Sequence, residues 1–318
     1  MATTATTTTA TINLQPSSIP SSTTTNSINI TKKQPTIPKN EIIPSKTDIG
    51  ALANRINLET RSLHDKVDKL VTLKMAIALR NYKVYRQGLQ SFYHIFKSIE
   101  NSLNYQFENN SNDKYVIMLK KVWKSEISRT TKAEKDLLFY YDNDKSKFEN
   151  PKMKQQIIFS QHILNKTKEK PYLLFAYLHV MYLALFAGGR LMRSSFIKAT
   201  GFYPHKNNLK HEEIIKLGTN FFTFDVENED NLRIEYKKNY ELITRIGLTE
   251  DEKLEIIEES KFIFEQNANC LIELENYNLE KIKGSWLYFL MTKGYYSLMI
   301  IVSILLVLYL FRTIMKFI

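Results

Sequence analysis

A histidine followed four residues later by a carboxylate is the first feature of this sequence that suggests chemistry. His64 and Asp68 lie in a segment with helical spacing of apolar residues, so both side chains belong to one side of the predicted helix. A carboxylate at this spacing can accept a hydrogen bond from one ring nitrogen and leave the other to bind a metal. Because surface ion pairs and buried histidines share this spacing, the pair alone does not establish a metal site.

Two adjacent glycines are the second feature. Gly188 and Gly189 interrupt an apolar helical stretch, where each costs about 1 kcal/mol relative to alanine. They indicate either the end of a helix or a point where the backbone approaches a ligand. Because the helical pattern resumes at Arg190, we predict a kink within one helix. A kinked helix facing the His64 helix suggests a slot for a planar macrocycle.

Aromatic and basic residues form a third group: Phe221, Phe222, Phe224, Arg233, Tyr236 and Lys237. Arg233 and Lys237 are four residues apart on one helix face, and two such cations can bind a pair of carboxylates. A solvated basic face explains the spacing equally well. The sequence contains no nucleophile elbow, phosphate-binding loop or dinucleotide fingerprint.

The elements that must position these residues are helices. Apolar periodicity of helical type continues from residue 48 to residue 294 without sustained alternation of strand type, so the predicted class is all-α. Asp48 is the predicted cap of the first helix, and Thr249 with Glu252 forms a capping box for the last. The predicted helices cover residues 52–71, 82–105, 115–124, 132–141, 153–165, 171–189, 210–220, 228–245 and 249–276.

The two ends of the chain differ from this central part. Residues 1–47 hold thirteen Thr, six Ser and five of the eight prolines, which predicts a disordered segment. Residues 295–311 carry no charge and would span about 26 Å as a helix at 1.5 Å per residue, which is near the thickness of a bilayer core. We therefore predict a helical domain at 48–280, a juxtamembrane linker at 281–294 and a tail anchor at 295–318.

A buried core helix is the alternative for the last segment. Residues 171–189 are also uncharged and long enough to span a membrane, but they contain His179, three tyrosines and the glycine pair. For that stretch we predict a buried helix against a large apolar ligand.

The charge and the cysteine content exclude several classes. Of the net charge of +11, the first 47 residues hold +3 and the last 24 hold +2, so the central part is only mildly basic. No nucleic-acid-binding motif is present, and we predict no nucleic-acid partner. A single cysteine excludes a disulfide scaffold and a cysteine-cluster metal site, and it fits a cytosol-facing compartment.

Several segments, taken in order, resemble the haem oxygenase family. Residues 60–68 resemble its proximal-histidine helix, residues 132–139 its Glu-x-Asp-Leu-x-Phe block, and residues 173–189 its distal helix with the paired glycines. Residues 91–96, 221–224 and 257–267 match as well, so the resemblance covers about residues 48–278. The Thr-rich start and the apolar end are most similar to the yeast-type, tail-anchored members.

The resemblance implies a function and a set of site residues. Haem b would be both cofactor and substrate, and would be opened with O2 to biliverdin, carbon monoxide and ferrous iron. A membrane-bound NADPH–cytochrome P450 reductase would supply electrons at the endoplasmic reticulum, or else at the mitochondrial outer membrane. His64 would bind the iron, with Asp68 orienting it, and Gly188 and Gly189 would steer O2. The matched haem-binding residues are Arg233, Lys237, His179 and Phe264.

One departure from the family concerns proton delivery. The usual distal run is Gly-Asp-Leu-Ser-Gly-Gly-Gln, and residues 184–190 here read Ala-Leu-Phe-Ala-Gly-Gly-Arg, so Leu185 replaces the carboxylate that orders distal water. Tyr93, Asn267 or Arg190 would have to organise water instead, and we expect slower turnover. The alternatives are a membrane-anchored protein that binds or buffers haem without opening it, and a coiled-coil tether. A tether needs heptads, and residues 277–294 show no sustained ones.

Overall fold

Most of the helices that the structure describes pack around one apolar core. The computed structural model describes residues 44–45, 47–79, 81–199, 202–204, 209–278, 286 and 293–314. These residues contain α-helices, short 3-10 turns and no strand, which confirms the predicted all-α class. The helices are α1 (Leu52–Glu59), α2 (Arg61–Ala78), α3 (Tyr82–Asn109), α4 (Lys114–Val122), α5 (Thr130–Tyr140), α6 (Lys154–Glu169), α7 (Leu174–Tyr177), α8 (Leu183–Lys198), α9 (His211–Gly218), α10 (Glu229–Gly247), α11 (Glu250–Tyr277) and α12 (Tyr295–Ile314).

The first predicted helix is divided in two. Thr60 ends α1, and its hydroxyl donates to the Ile56 carbonyl at 2.7 Å before α2 begins. Asp48 does not cap α1, because Ala51 occupies the N-cap position. Asp48 instead accepts hydrogen bonds from the Gly50 N–H and from Arg245, so it attaches the start of the domain to α10. The capping box of Thr249 and Glu252 is confirmed at the start of α11.

The core lies where α3, α5, α6 and α11 meet the apolar helix Pro171–Lys198. The facing side chains of α3 and α6 include Ile99, Leu103, Phe159 and Ile163, all fully buried. Each such side chain contributes about 1.5–3 kcal/mol when it leaves water. This packing fixes α3 and α6 as a frame for the helices that carry the candidate site.

The helix Pro171–Lys198 is continuous but not uniform. A π-helical segment, Leu178–Tyr182, joins α7 to α8. The irregular turn therefore lies before the glycine pair, whereas the sequence predicted a kink at the glycine pair itself. This helix is long and apolar enough to cross a membrane, yet 82% of its most apolar window is buried. The prediction of a buried core helix is therefore confirmed.

The C-terminal helix has the opposite character. All side chains from Tyr295 to Tyr309 are exposed, and this stretch is a shorter apolar helix. The described residues belong to one unit, Ile37–Ile318. The predicted disordered segment and linker fall mostly on residues 1–43, 46, 279–285 and 287–292, which lie outside the described part.

Candidate functional site

A cavity of about 300 Å³ brings together five of the residues that the sequence singles out. This volume is at the lower end of the range of small-molecule sites, about 300–1,000 Å³. The cavity lies between α1 and α2 on one side and the long apolar helix, α10 and α11 on the others. The predicted residues on its walls are His64, His179, Arg233, Lys237 and Phe264.

The His64 side of the cavity is open. Its side chain is 63% exposed, and the ring meets Phe264 edge to face with centroids 5.8 Å apart. The Nδ1 atom lies 3.7 Å from Oδ1 of Asp65, which is too long for a hydrogen bond. Asp68 is exposed, and no hydrogen bond among the described residues joins it to His64. The imidazole is therefore free to turn a ring nitrogen towards a ligand.

The opposite wall is the long apolar helix. Val180, Leu183 and Ala184 line the cavity. Gly188 is one turn beyond Ala184 on the same face, and a Cβ atom added there would meet no atom within 4 Å. A Cβ atom at Gly189 would instead lie 3.7 Å from the Phe222 ring. Gly188 thus leaves space beside the cavity, while Gly189 packs into the core.

Leu185 lies on the packed side of this helix. It is only 8% exposed, its Cβ lies 3.9 Å from the Cβ position at Gly189, and it is not one of the cavity-lining residues. The residue that replaces the family carboxylate therefore faces the core, and its neighbour Ala184 faces the cavity.

Two cations stand at the cavity on α10. Burial, and then the charge of Arg233, lower the pKa of Lys237 below its ordinary value. Arg233 is paired with Oδ1 of Asp230 at 3.0 Å, whereas Lys237 has no carboxylate partner within 4 Å among the described residues. An anion bound at the cavity would therefore be stabilised by the charge of Lys237, with Arg233 one turn away on the same helix.

His179 adds a neutral polar group to the same wall. Its Nε2 atom donates to Oδ1 of Asn57 at 3.0 Å, and its Nδ1 atom is buried without a hydrogen-bond partner in the structure. Burial, together with the nearby charge of Lys237, lowers the pKa of His179 to about 4. At neutral pH this side chain therefore offers a hydrogen-bond acceptor rather than a positive charge.

The sequence analysis missed one acidic residue of the cavity. Glu241 lines it one turn after Lys237, and its Oε1 atom accepts from Arg245 Nε at 2.5 Å. Arg245 also donates to Asp48 at 2.6 Å, so this ion pair belongs to the junction of α10 with the start of the domain. The spacing of four between Glu241 and Arg245 was the available signal.

The three residues predicted to organise water lie away from the cavity lining, which also does not include Asp68, Gly188 or Gly189. Tyr93 is buried between His94 and Phe148. Asn267 donates to the sulfur of Met181 at 3.3 Å, and its Oδ1 atom has no partner. Arg190 is paired with Glu229 and Asp230 on α10. The structure thus gathers the predicted iron and carboxylate ligands in one cavity but does not bring the three predicted water-organising residues to its lining.

This arrangement fits haem. A flat macrocycle needs a metal ligand on one face, backbone without side chains on the other and cations for two carboxylates at one edge. His64, the open space at Gly188, and Arg233 with Lys237 meet these three needs. The unpaired Nδ1 of His179 indicates that a further polar group belongs in the cavity.

Comparisons with known proteins agree with this fit. The sequence model described as "Heme oxygenase" matches residues 50–273. The heme-binding protein HMX1 of Saccharomyces cerevisiae is 39% identical over 263 residues, covering 78% of this chain and 82% of that protein. The heme oxygenase of Porphyra purpurea is 24% identical, covering 72% and 88%.

Solved structures share the fold. Heme oxygenase-2 from Synechocystis sp., in complex with heme and NO, matches with a TM-score of 0.61 at 20% identity, covering 76% of this chain and 92% of that one. Heme oxygenase 2 from Chlamydomonas reinhardtii, solved without heme, matches with a TM-score of 0.61 at 19% identity, covering 70% and 97%. With most of its helical domain matched by the family model and a relative at 39% identity, this chain belongs to the haem oxygenase family.

Proposed function

We propose that this protein binds haem b in the cavity and opens it to biliverdin, carbon monoxide and ferrous iron. The observation that carries the proposal is that His64, Arg233 and Lys237 line one cavity. The long apolar helix lines the same cavity through Ala184, and Gly188, one turn further on, has open space where a side chain would lie. O2 is the oxidant, and electrons come from NADPH through a cytochrome P450 reductase. Family membership supports haem chemistry in general, and the cavity supports the binding of haem that this reaction requires.

Each wall has its own task. Haem supplies both the iron that activates O2 and the ring that is oxidised. His64 would bind the iron, and because no hydrogen bond among the described residues fixes its ring, the bound haem would set its orientation. Arg233 and Lys237 hold the two propionates. His179 stays neutral beside them, accepts a hydrogen bond at Nδ1 and adds no repulsion between cations.

The apolar residues control access. Phe264 and Phe186 border the cavity and reduce the room for water next to the ring. The open space at Gly188 would let a bound macrocycle come close to the backbone, and this close approach would limit which ring edge O2 can reach. Asp68 has the role of orienting His64 only if the α2 side chains rearrange when haem binds.

We propose that α12 anchors the protein in the endoplasmic reticulum membrane, with the helical domain in the cytosol. Twenty helical residues extend about 30 Å, the thickness of a bilayer core. The side chains from Tyr295 to Tyr309 are exposed, and Arg312 follows this apolar stretch. A mitochondrial outer-membrane location is the alternative that imaging of the tagged full chain would reveal.

A second function, haem binding without ring opening, is favoured by one observation. α8 contains no Asp or Glu, its cavity face carries Ala184, and Leu185 is turned into the core, so this helix offers no carboxylate to the distal side. Proton delivery during oxygen activation needs such a group or an ordered water chain. The Saccharomyces cerevisiae relative is likewise described as a heme-binding protein.

Spectroscopy with product analysis separates the two functions. The full chain in detergent, loaded with haem, should convert it to biliverdin and carbon monoxide in near-equal amounts when reductase and NADPH are added. His64→Ala should change the iron-ligand spectrum, and added imidazole should restore it. A stable haem spectrum with no biliverdin under turnover conditions would refute ring opening and leave the binding function.

A further inference from the structure

Two sequence segments that the proposed reaction does not use meet behind the glycine pair. One is the Glu-x-Asp-Leu-x-Phe block of α5, which contains Asp136. The other is residues 221–224, here called the aromatic segment, which includes Phe222. They are separated by more than 80 residues in the chain, and the structure joins them through buried hydrogen bonds.

Asp136 is the centre of this contact. Its carboxylate is fully buried, and Oδ1 accepts from both the backbone N–H and the side-chain amide of Asn220, each at 2.8 Å. Its Oδ2 accepts from the Phe221 N–H, also at 2.8 Å. The two oxygens therefore fix the first residues of the aromatic segment from one side.

Arg129 fixes the segment from the other end. Its Nη1 atom donates to the carbonyl oxygens of Phe221 and Thr223 at 2.9 and 3.1 Å, and its guanidinium lies 4.3 Å from the centre of the Phe224 ring. Arg129 is itself held by Glu100, whose Oε1 accepts from the Arg129 N–H. The backbone of the aromatic segment thus donates to the buried carboxylate of Asp136 and accepts from the buried guanidinium of Arg129.

The aromatic segment supports the cavity helix directly. The Phe222 ring lies 3.7 Å from the Cβ position of Gly189, and Phe224 stacks on Phe186 with centroids 4.7 Å apart and planes at 7°. Phe186 lines the cavity. A displacement of the segment would therefore be transmitted to the wall that faces His64.

We propose that Asp136 is a positioning residue for the haem cavity: by holding the backbone at Asn220 and Phe221, it keeps Phe222 and Phe224 against α8 at the glycine pair. This inference rests on the proposed function for its effect on haem, but its effect on α8 is a property of the haem-free protein. Asp136 touches neither the cavity nor a ligand and acts through the aromatic segment.

The test compares two substitutions that remove the same kind of contact. Asp136→Asn replaces one acceptor oxygen with an NH2 group, so two hydrogen-bond donors then face each other at Asn220 or Phe221. Glu273→Gln is the matched control, because Glu273 also accepts from two successive backbone N–H groups, those of Lys154 and Gln155 at 2.9 and 2.7 Å, at the start of α6. Burial raises the pKa of Asp136 to about 7, so the comparison is made at pH 8, where this carboxylate is ionised.

Amide hydrogen exchange of the full, haem-free chain in detergent is the first measurement. Asp136→Asn should accelerate exchange roughly tenfold at residues 220–224 and also at 186–193. Glu273→Gln should accelerate exchange at 154–157 and leave 186–193 unchanged. Protection of residues 186–193 in Asp136→Asn equal to that of the wild type would overturn the proposal.

Haem titration is the second measurement. Asp136→Asn should bind haem about tenfold more weakly and change the ratio of high-spin to low-spin ferric signals, and Glu273→Gln should do neither. If the wild type binds no haem, the proposed function fails while the exchange result still decides the role of Asp136. If Asp136→Asn does not fold, Asn220→Ala is the second variant: it removes the side-chain donor to Asp136 together with its bonds to the Lys216 and Leu217 carbonyls, and it leaves both backbone N–H bonds to Asp136 in place. It should accelerate exchange at 186–193 to a smaller extent, and unchanged exchange there would overturn the proposal.

Discussion

Replacing Leu185 with aspartate tests whether the missing carboxylate can be restored at its family position. Leu185 is 8% exposed and lies beside Gly189 in the core, so the substitution removes a buried apolar side chain and inserts a charge among apolar atoms. The loss of burial costs about 2–3 kcal/mol. The introduced carboxylate has no partner at this position. Desolvation of this kind raises the pKa of a carboxyl group by as much as 3–5 units, and each unit corresponds to about 1.4 kcal/mol of destabilisation of the charged form.

At pH 7 the charge contributes at most about 4 kcal/mol, because a carboxyl group whose pKa rises above 7 becomes protonated instead of charged. The expected total is therefore about 6–7 kcal/mol, comparable with the whole stability of many domains. Chemical denaturation of Leu185→Asp, with Leu185→Asn as the uncharged control of equal shape, separates the two contributions. The folded-state pKa of the new carboxyl group is raised, so its destabilisation is complete above that pKa and disappears as the pH falls towards 4. The two variants should therefore differ by several kcal/mol at pH 7 and converge near pH 4.

Ala184→Asp is the contrasting substitution, because Ala184 is exposed and lines the cavity. It should cost less than about 1 kcal/mol, the range of surface substitutions. Two results together would refute the conclusion that Leu185 faces the core. Leu185→Asp would be as stable at pH 7 as Leu185→Asn, and it would produce more biliverdin than the wild type.

Three further predictions follow from the same geometry. Lys237→Ala should weaken haem binding about tenfold at low salt, and the difference from the wild type should vanish when the dimethyl ester of haem, which lacks carboxylates, is titrated instead. His179 has a lowered pKa of about 4, so the wild type loses stability as the pH falls from about 6.5 to 4, where the unfolded chain binds a proton and the folded protein does not. The free energy of unfolding of His179→Gln, measured with urea, should therefore rise by about 3 kcal/mol relative to that of the wild type between pH 7 and pH 4. A difference that stays constant over this range would contradict the prediction. Deletion of residues 292–318 should release the protein from carbonate-washed membranes with its haem binding intact, and retention would mean that a second segment spans the membrane.

Local patterns in the sequence were sufficient for much of the fold. Apolar periodicity identified the helices because each helix buries one face, and the capping box at Thr249 is a contact between neighbours in the chain. The same reasoning placed Arg233 and Lys237 on one face of α10. His64 could be singled out because the signal lies in neighbouring residues: the segment 60–68 has helical spacing and resembles a known helix.

Contacts between distant segments were not predictable in this way. The bonds from Asp136 to Asn220 and Phe221 join residues that no spacing rule connects. The direction of Leu185 depends on the rotation of α8, which is set by Phe222 packing on Gly189. The break at Thr60 depends on competition between a side-chain hydroxyl and the helix ladder, and apolar periodicity passes through it without a change.

The two walls of the cavity are held to different degrees, and this predicts which one responds to haem. The long apolar helix is mostly buried and is supported from behind by the aromatic segment. The first turns of α2 are mostly exposed, and no hydrogen bond within the described part of the chain fixes the His64 ring. A bond from iron to His64 would restrict the conformational freedom of the first turns of α2, whereas the helix Pro171–Lys198 is already restricted by its packing. Adding haem should therefore slow amide exchange at residues 61–68 several times more than at 183–190; equal protection of both stretches would show that the histidine wall is already fixed before haem binds.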